Sequence, residues 1–460
     1  LILNAKGVCV DSKRRSILIN MATLGCALAV PAQANRSFPS KKVLVIGAGM
    51  AGLAAAQHLA RAGFVPIVLE ARDRIGGRVF TSTHWSDAPL DLGASWIHGT
   101  KGNPLTQLAR QTKAKTTTTH YTSTRTFYAP NAPVQDDDLY DEAQQLLDAA
   151  LNAAKKKPQD MSVQAAVDVY LSNKRISSAL RAQLDFVINT TLEQEYAGAA
   201  HQLSAKWVDE DDGFSGDDVV FEQGYISIVK PLSQGLDIRL NHVVQRIDYQ
   251  TDRVKVQTNK GLFEADAVLI TVPLGVLKAK AITFEPPLPI PKQQAIDALG
   301  MGVLDKLYLR FETAFWKPQS DWLERLSTKT GRWSEWVDFA HVAQKPILLG
   351  FNAADDARSV EGLSDAQIIE DAMLTLREMF GADIPAPVDA QVTRWAADPF
   401  AFGSYSFNAV GSNASTRKIL AQNIAARVFF AGEATGVDHA STVHAAYLSG
   451  IRAAKELMAS

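Results

Sequence analysis

Cysteine is almost absent from this chain of 460 residues: Cys9 and Cys26 are the only two, and both precede residue 35. With residues 1–34 removed, the remainder has no thiol, which excludes disulfides, thiolate metal sites and cysteine nucleophiles from it. The histidines are scattered, with no HExxH or similar pairing, so no catalytic metal is expected. Net charge is nearly absent too. Lys and Arg number 47 against 49 Asp and Glu, a balance of −2 that carries no footprint of a nucleic acid or an anionic membrane partner. No internal repeat or long low-complexity tract is present. What remains is the composition of an ordinary globular protein, 47% apolar and 21% charged. Its length predicts two domains rather than one core.

The first 34 residues read as a signal peptide. Lys13, Arg14 and Arg15 form a basic start, Ile17 to Val30 is mostly apolar, and Ala32-Gln33-Ala34 offers small residues for cleavage. The apolar run falls short of the ~18 residues of a spanning helix, so no stable membrane anchor is expected. Arg14-Arg15-Ser16-Ile17-Leu18 resembles a twin-arginine signal, which carries folded, cofactor-loaded proteins to the periplasm or the exterior.

Lys42 to Ile46 is a short apolar run suited to a buried parallel strand, and Gly47-Ala48-Gly49-Met50-Ala51-Gly52 follows at once. A helical pattern from Met50 to Ala62 ends at Gly63, and Phe64 to Leu69 reads as a second strand closing on Glu70. In such a unit Gly47 permits the tight turn, Gly49 lets the backbone approach a pyrophosphate, and Gly52 allows close packing of the helix. The free N–H groups at the helix start attract phosphate. Glu70, about 20 residues on, is placed to accept hydrogen bonds from ribose hydroxyls. Arg72 and Arg78 flank a second glycine turn at Gly76-Gly77, and a guanidinium such as Arg78 matches phosphate oxygens. These residues predict a dinucleotide site.

The first glycine segment together with Arg74-Ile75-Gly76-Gly77-Arg78 resembles the flavin-containing amine oxidase family, closest in its motifs to the polyamine oxidases. Three further stretches carry the resemblance to the C-terminus: Asp91 to Gly99; Phe221 to Tyr225 with Gly235 to Ile238; and Phe429 to Thr435 with Ser441 to His444. It implies an α/β fold in which a Rossmann-type FAD-binding domain is interleaved with a substrate domain of mixed sheet plus helices. The FAD domain is expected from segments 41–109, 206–289 and 396–460. The substrate domain is expected from 110–205, mainly helical, and from 290–395, rich in strand.

The family pattern implies non-covalent FAD, because Ser404 falls where monoamine oxidases place the cysteine bonded to flavin. It implies that Gly93, Ala94, Ser95 and Trp96 pass beside the flavin, that Val244 contacts the adenine, and that Gly432 and Glu433 lie near the ribityl and pyrophosphate. The Val443 backbone would face the isoalloxazine, and Trp395 would pack near it. Lys306 corresponds to the family lysine that assists re-oxidation by oxygen; period-two alternation puts it on one strand face with Leu304, Tyr308 and Arg310. Tyr405 matches one wall of the aromatic pair flanking the amine. Thr442 stands where many members have the other, which widens the pocket as in the histone demethylases and some polyamine oxidases. His98 is a candidate to position or deprotonate a distal nitrogen. The acids Asp209 to Asp212, Asp217 and Asp218 could steer polycations.

The expected activity is oxidation of a small amine, a polyamine by preference, by hydride transfer to flavin with O2 reduced to peroxide. An L-amino acid oxidase is the nearest rival, but it usually carries Arg soon after the Gly-Ala where this chain has Ser95-Trp96. A monoamine oxidase and a non-catalytic flavin-binding protein are the others. A demethylase working on chromatin fits less well with a signal peptide and the lack of a long charged insertion.

Overall fold

The computed structural model describes residues 41–129, 137–208, 213–317, 319–327 and 331–460. The leader and the acidic run 209–212 lie outside the described residues. The strand Lys42–Ile46 is the centre of a five-stranded parallel sheet. Its order is Val428–Phe430, Ala267–Ile270, Lys42–Ile46, Val65–Leu69 and Asp237–Arg239. Three widely separated stretches of chain therefore build one sheet. Helix Met50–Arg61 covers one face, and the last helix, Val443–Ala459, packs against it through Gly450, where an added Cβ would lie 2.1 Å from Ala51 O. A four-stranded sheet, containing Val244–Asp248, adjoins this unit.

The second unit is a six-stranded sheet ordered Asp389–Val392, Leu304–Arg310, Ile347–Ala353, Glu335–Asp338, Trp322–Leu326 and Thr124–Tyr128. Helices Asp137–Lys155, Val163–Leu171 and Ser178–Ile188 form a separate apolar cluster beside it. The stretch 110–205 is thus helical over most of its length, but it also supplies the strands Thr116–Thr119 and Thr124–Tyr128. Their β-branched threonines favour an extended backbone, and each finds a distant partner, Asp218–Phe221 and Trp322–Leu326 respectively.

Two glycines of the first loop are required by geometry. Gly47 has φ +105, a conformation that strains any L side chain. A Cβ on Gly52 would stand 2.0 Å from Gly47 O and 3.1 Å from Thr271 Oγ1. The contact that demands Gly52 is therefore with the loop carbonyl as well as with the strand end. Gly52→Ala is expected to displace this loop, cost about 2 kcal/mol by overpacking, and yield protein depleted of flavin. The ratio of visible to ultraviolet absorbance after purification measures it.

Among the described residues no helix is long and apolar enough to cross a membrane, and no group of three or more His, Cys, Asp and Glu could hold a metal ion.

Candidate active site

One cavity of about 760 Å³ runs from the glycine loop, between the two units, to the helical cluster. Every residue singled out in the sequence as a cofactor or catalytic candidate lines it, except Gly52, which acts from behind the loop. Residues from Gly47 to Val443 are therefore brought to one wall.

At the dinucleotide end, no side chain caps the helix that begins at Met50, so its first N–H groups face the cavity unclaimed by a side chain. Glu70 is buried and accepts from Ala48 N at 2.7 Å and Arg72 N at 2.9 Å; burial nevertheless raises it above 4.5. Arg72 is gripped by both oxygens of Asp398 at 2.8 Å. Val244 lines the same end. Gly77, with φ +61, turns the chain so that Arg78 lines the next part of the wall. Arg78 Nη1 donates to Glu433 Oε1 and to Ser404 O, both at 2.8 Å. This partner was not foreseen: the guanidinium is bound by protein on one side before it can meet a phosphate on the other. Glu433 also accepts from Ser406 Oγ at 2.6 Å. Burial works to raise its carboxyl, but Arg78, Ser406 and Arg417 prevail and hold it below 4.5.

In the middle lies Lys306. Its strand alternates as expected, since Lys306 Nζ and Tyr308 Oη both donate to Asp91 O, each at 3.0 Å. Lys306 Nζ donates further to Gly93 O at 2.7 Å and Ser95 Oγ at 2.5 Å. The three acceptors match the three N–H bonds of an ammonium. Burial pushes Lys306 down to about 7 against the opposing charge of Asp91. Asp91 itself is buried and lifted to about 6, in spite of hydrogen bonds from Thr81 and Tyr225 N. Ala94 N donates to Arg78 O, and Trp395 Nε1 donates to Leu92 O at 3.1 Å, which sets the indole on the cavity wall.

At the substrate end, Tyr405 Oη donates to Gln194 O at 3.1 Å, which leaves the ring face to the cavity. Thr442 caps the last helix: its hydroxyl donates to His439 O and accepts from Ala445 N. Val443 opens that helix, and Gly432 N is held by Ser449 Oγ. Ser404 Oγ bridges the backbone of Leu304. His98 Nδ1 lies 2.9 Å from Asp218 Oδ2, whose other oxygen accepts from Gly99 N. Burial works to lower the imidazole, but Asp218, with Glu195 behind it, prevails and holds it above 6.5. Asp218, read from the sequence only as a steering charge, is the orienting partner of His98.

Four further features escaped the sequence reading. Glu195, Glu324 and Glu335 line the cavity, and Glu324 and Glu335 stand directly opposite each other across two strands. Trp322 stacks on Tyr121 at 4.5 Å and on Trp96 at 6.0 Å, making an aromatic wall.

The family model described as flavin containing amine oxidoreductase matches residues 50–458. The chain belongs to that family, and its cofactor is FAD. The residues present suit such a cofactor: an uncapped helix start and two arginines border an elongated cavity. Among curated proteins, the chain is 36% identical over 471 residues to Lysine-specific histone demethylase 1 homolog 1 of Oryza sativa subsp. japonica, covering 96% of this chain and 55% of that one. It is 34% identical over 440 residues to Polyamine oxidase 4 of the same plant, covering 90% and 88%. The chain thus spans about half the length of the demethylases it matches. Among solved structures, putrescine oxidase bound to putrescine superposes with a TM-score of 0.75 at 20% identity, covering 91% of this chain and 99% of that one, a likeness of fold.

Proposed function

We propose that the protein oxidises small amines with oxygen as acceptor, and that its preferred substrates carry more than one amino group. The observation that carries this reading is the lining of the substrate end, where the carboxylates of Glu195, Asp218, Glu324 and Glu335 share a cavity with the faces of Trp96, Tyr121 and Trp322. Carboxylates and aromatic faces both attract alkylammonium groups. Burial, with the charges of Glu324 and Glu335, holds the Tyr140 hydroxyl above its ordinary range, so their field reaches the cavity wall. The arginines that line the cavity, Arg72 and Arg78, are engaged by Asp398 and Glu433. At the substrate end those four carboxylates outnumber the cationic candidates Lys155 and His98, which suits an amine better than the carboxylate of an amino acid.

FAD, when bound, would supply the redox chemistry, as hydride acceptor from the carbon beside nitrogen and as two-electron donor to O2, which with two protons becomes H2O2, while water would hydrolyse the imine. The chain's part is to hold and deprotonate. Tyr405 and the methyl side of Thr442 bracket the reacting amine, and distal ammonium groups reach the carboxylates. His98, oriented by Asp218, exchanges a proton with a substrate nitrogen.

Anaerobic mixing with spermidine, spermine, putrescine, tyramine, phenylethylamine, L-amino acids and a methyl-lysine peptide tests the reading through flavin bleaching. Bleaching by the polyamines is expected; bleaching by L-amino acids alone, or by the peptide alone, would overturn it. Exchanging both Glu324 and Glu335 for Gln should raise KM for spermidine about tenfold, the worth of one charge-assisted hydrogen bond. Steady-state kinetics should find phenylethylamine unaffected.

A further inference from the structure

Three consecutive backbone amides on the cavity's outer side end on two carboxyl groups. Trp395 N donates to Asp305 Oδ1 at 3.0 Å, while Ala396 N and Ala397 N donate to the two oxygens of Glu361 at 2.6 and 2.9 Å. Asp305 Oδ1 also accepts from Thr393 Oγ1 at 2.8 Å, and that hydroxyl oxygen accepts from Lys306 N at 2.8 Å. The turn 393–397 is therefore tied both to the strand that presents Lys306 and to the end of helix Ala354–Glu361. Arg394 strengthens the tie, donating to Glu361 O and Leu363 O and pairing with Asp365.

Asp305 lies on the strand face opposite the Lys306 side chain and is 5% exposed. Its Oδ2 is buried, and no N–H or O–H of the described residues reaches it. The Glu361 carboxyl, which takes the next two amides of the same turn, is the neighbouring acid that acts on it. A buried Asp305 carboxylate beside a half-buried Glu361 carboxylate would be repelled by it, whereas a proton on Asp305 converts the contact to a hydrogen bond. Burial, and then Glu361, hold Asp305 well above the ordinary carboxylate range.

We infer that Asp305 carries a proton on Oδ2 that it donates to Glu361, and that the two act together as a positioning pair, which sets the Trp395 indole on the wall of the cofactor cavity and, through Thr393, fixes the strand carrying Lys306. Neither acid lines the cavity, so both act through the turn 393–397. The pair concerns the cofactor site and is independent of which amine is oxidised.

The test uses the full-length holoprotein with Asp305→Asn, Asp305→Ala and Glu361→Ala. Readouts are the visible flavin spectrum, FAD affinity from titration of the apoprotein, and far-UV circular dichroism as a check of fold. In Asp305→Asn the amide oxygen accepts from Trp395 N and the NH2 donates to Glu361, as the proton on Oδ2 does. Its spectrum should match the parent, with Kd for FAD within about twofold. Asp305→Ala and Glu361→Ala should shift the flavin bands and weaken FAD about tenfold with the fold intact, as loss of one buried hydrogen-bond partner implies. An asparagine variant as impaired as the alanine one would overturn the inference, because it would mean that the ionised carboxylate is needed. Alanine variants that fold and keep the parent spectrum would overturn it too. Should the alanine variants not fold, the asparagine variant decides alone, by keeping or losing the parent spectrum and affinity.

Discussion

Lys306→Met is expected to slow re-oxidation of the reduced protein by oxygen about 100-fold while changing amine affinity no more than about twofold. The expectation rests on position and charge. Lys306 Nζ is buried against Asp91 O, Gly93 O and Ser95 Oγ, at the middle of the cavity that Trp395 walls. Oxygen acquires negative charge as it is reduced, and a cation fixed in a desolvated place stabilises that charge more than one in water would. Methionine fills a similar volume without charge, so packing is spared. Lys306 titrates near 7, lowered by burial. The cation is therefore present below that value and lost above it, and the re-oxidation rate should fall as pH rises through about 7. Stopped-flow mixing of dithionite-reduced protein with oxygenated buffer measures both effects without any amine. An unchanged oxygen rate in the methionine variant would remove Lys306 from the chemistry.

Glu433→Ala is expected to give the largest loss of stability, about 3 kcal/mol, the usual result of removing one partner of a buried charge pair. It would strand Arg78, and it would take from buried Arg417 the carboxylate that both it and Ser406 face. Gly432 and Glu433 border the cavity, so flavin should be lost as well. Glu433→Gln keeps the acceptor and should cost less than half as much. The carboxyl is held below 4.5 in the folded protein. Its contribution is complete above 4.5 and lost as pH falls through the lower, folded value. Denaturant melts should therefore differ less between parent and variant at acid pH than at pH 7, and an equal difference at both would refute the network.

The dinucleotide unit was legible because its parts are local. Gly47, Gly49, Gly52 and Glu70 sit within one strand–helix–strand, where turn geometry and helix ends depend on neighbouring residues. Lys306 was legible through alternation along a single strand together with the family resemblance. Its hydrogen-bond partners were less so, because Asp91 and Gly93 approach from a segment more than 200 positions away. The same distance hid Asp398 behind Arg72 and Glu433 behind Arg78, and a shorter separation was enough to hide Glu361 behind Asp305. Glu324 and Glu335 were passed over because single acids on strands carry no periodic signal, and only antiparallel pairing sets them face to face. Thr116 to Thr119 fell in a stretch expected to be mainly helical; pairing with Asp218–Phe221 makes it a strand.

The parallel sheet also has a consequence for biogenesis. Its outer strand, Val428–Phe430, and the helix Val443–Ala459 that closes over Met50–Arg61 are made long after Lys42–Ile46 has left the ribosome. The sheet lacks its outer strand until then, and the cofactor cavity lacks the wall that Gly432, Glu433, Thr442 and Val443 supply. Chains that stop before this segment should therefore be more open to proteolysis than the complete one.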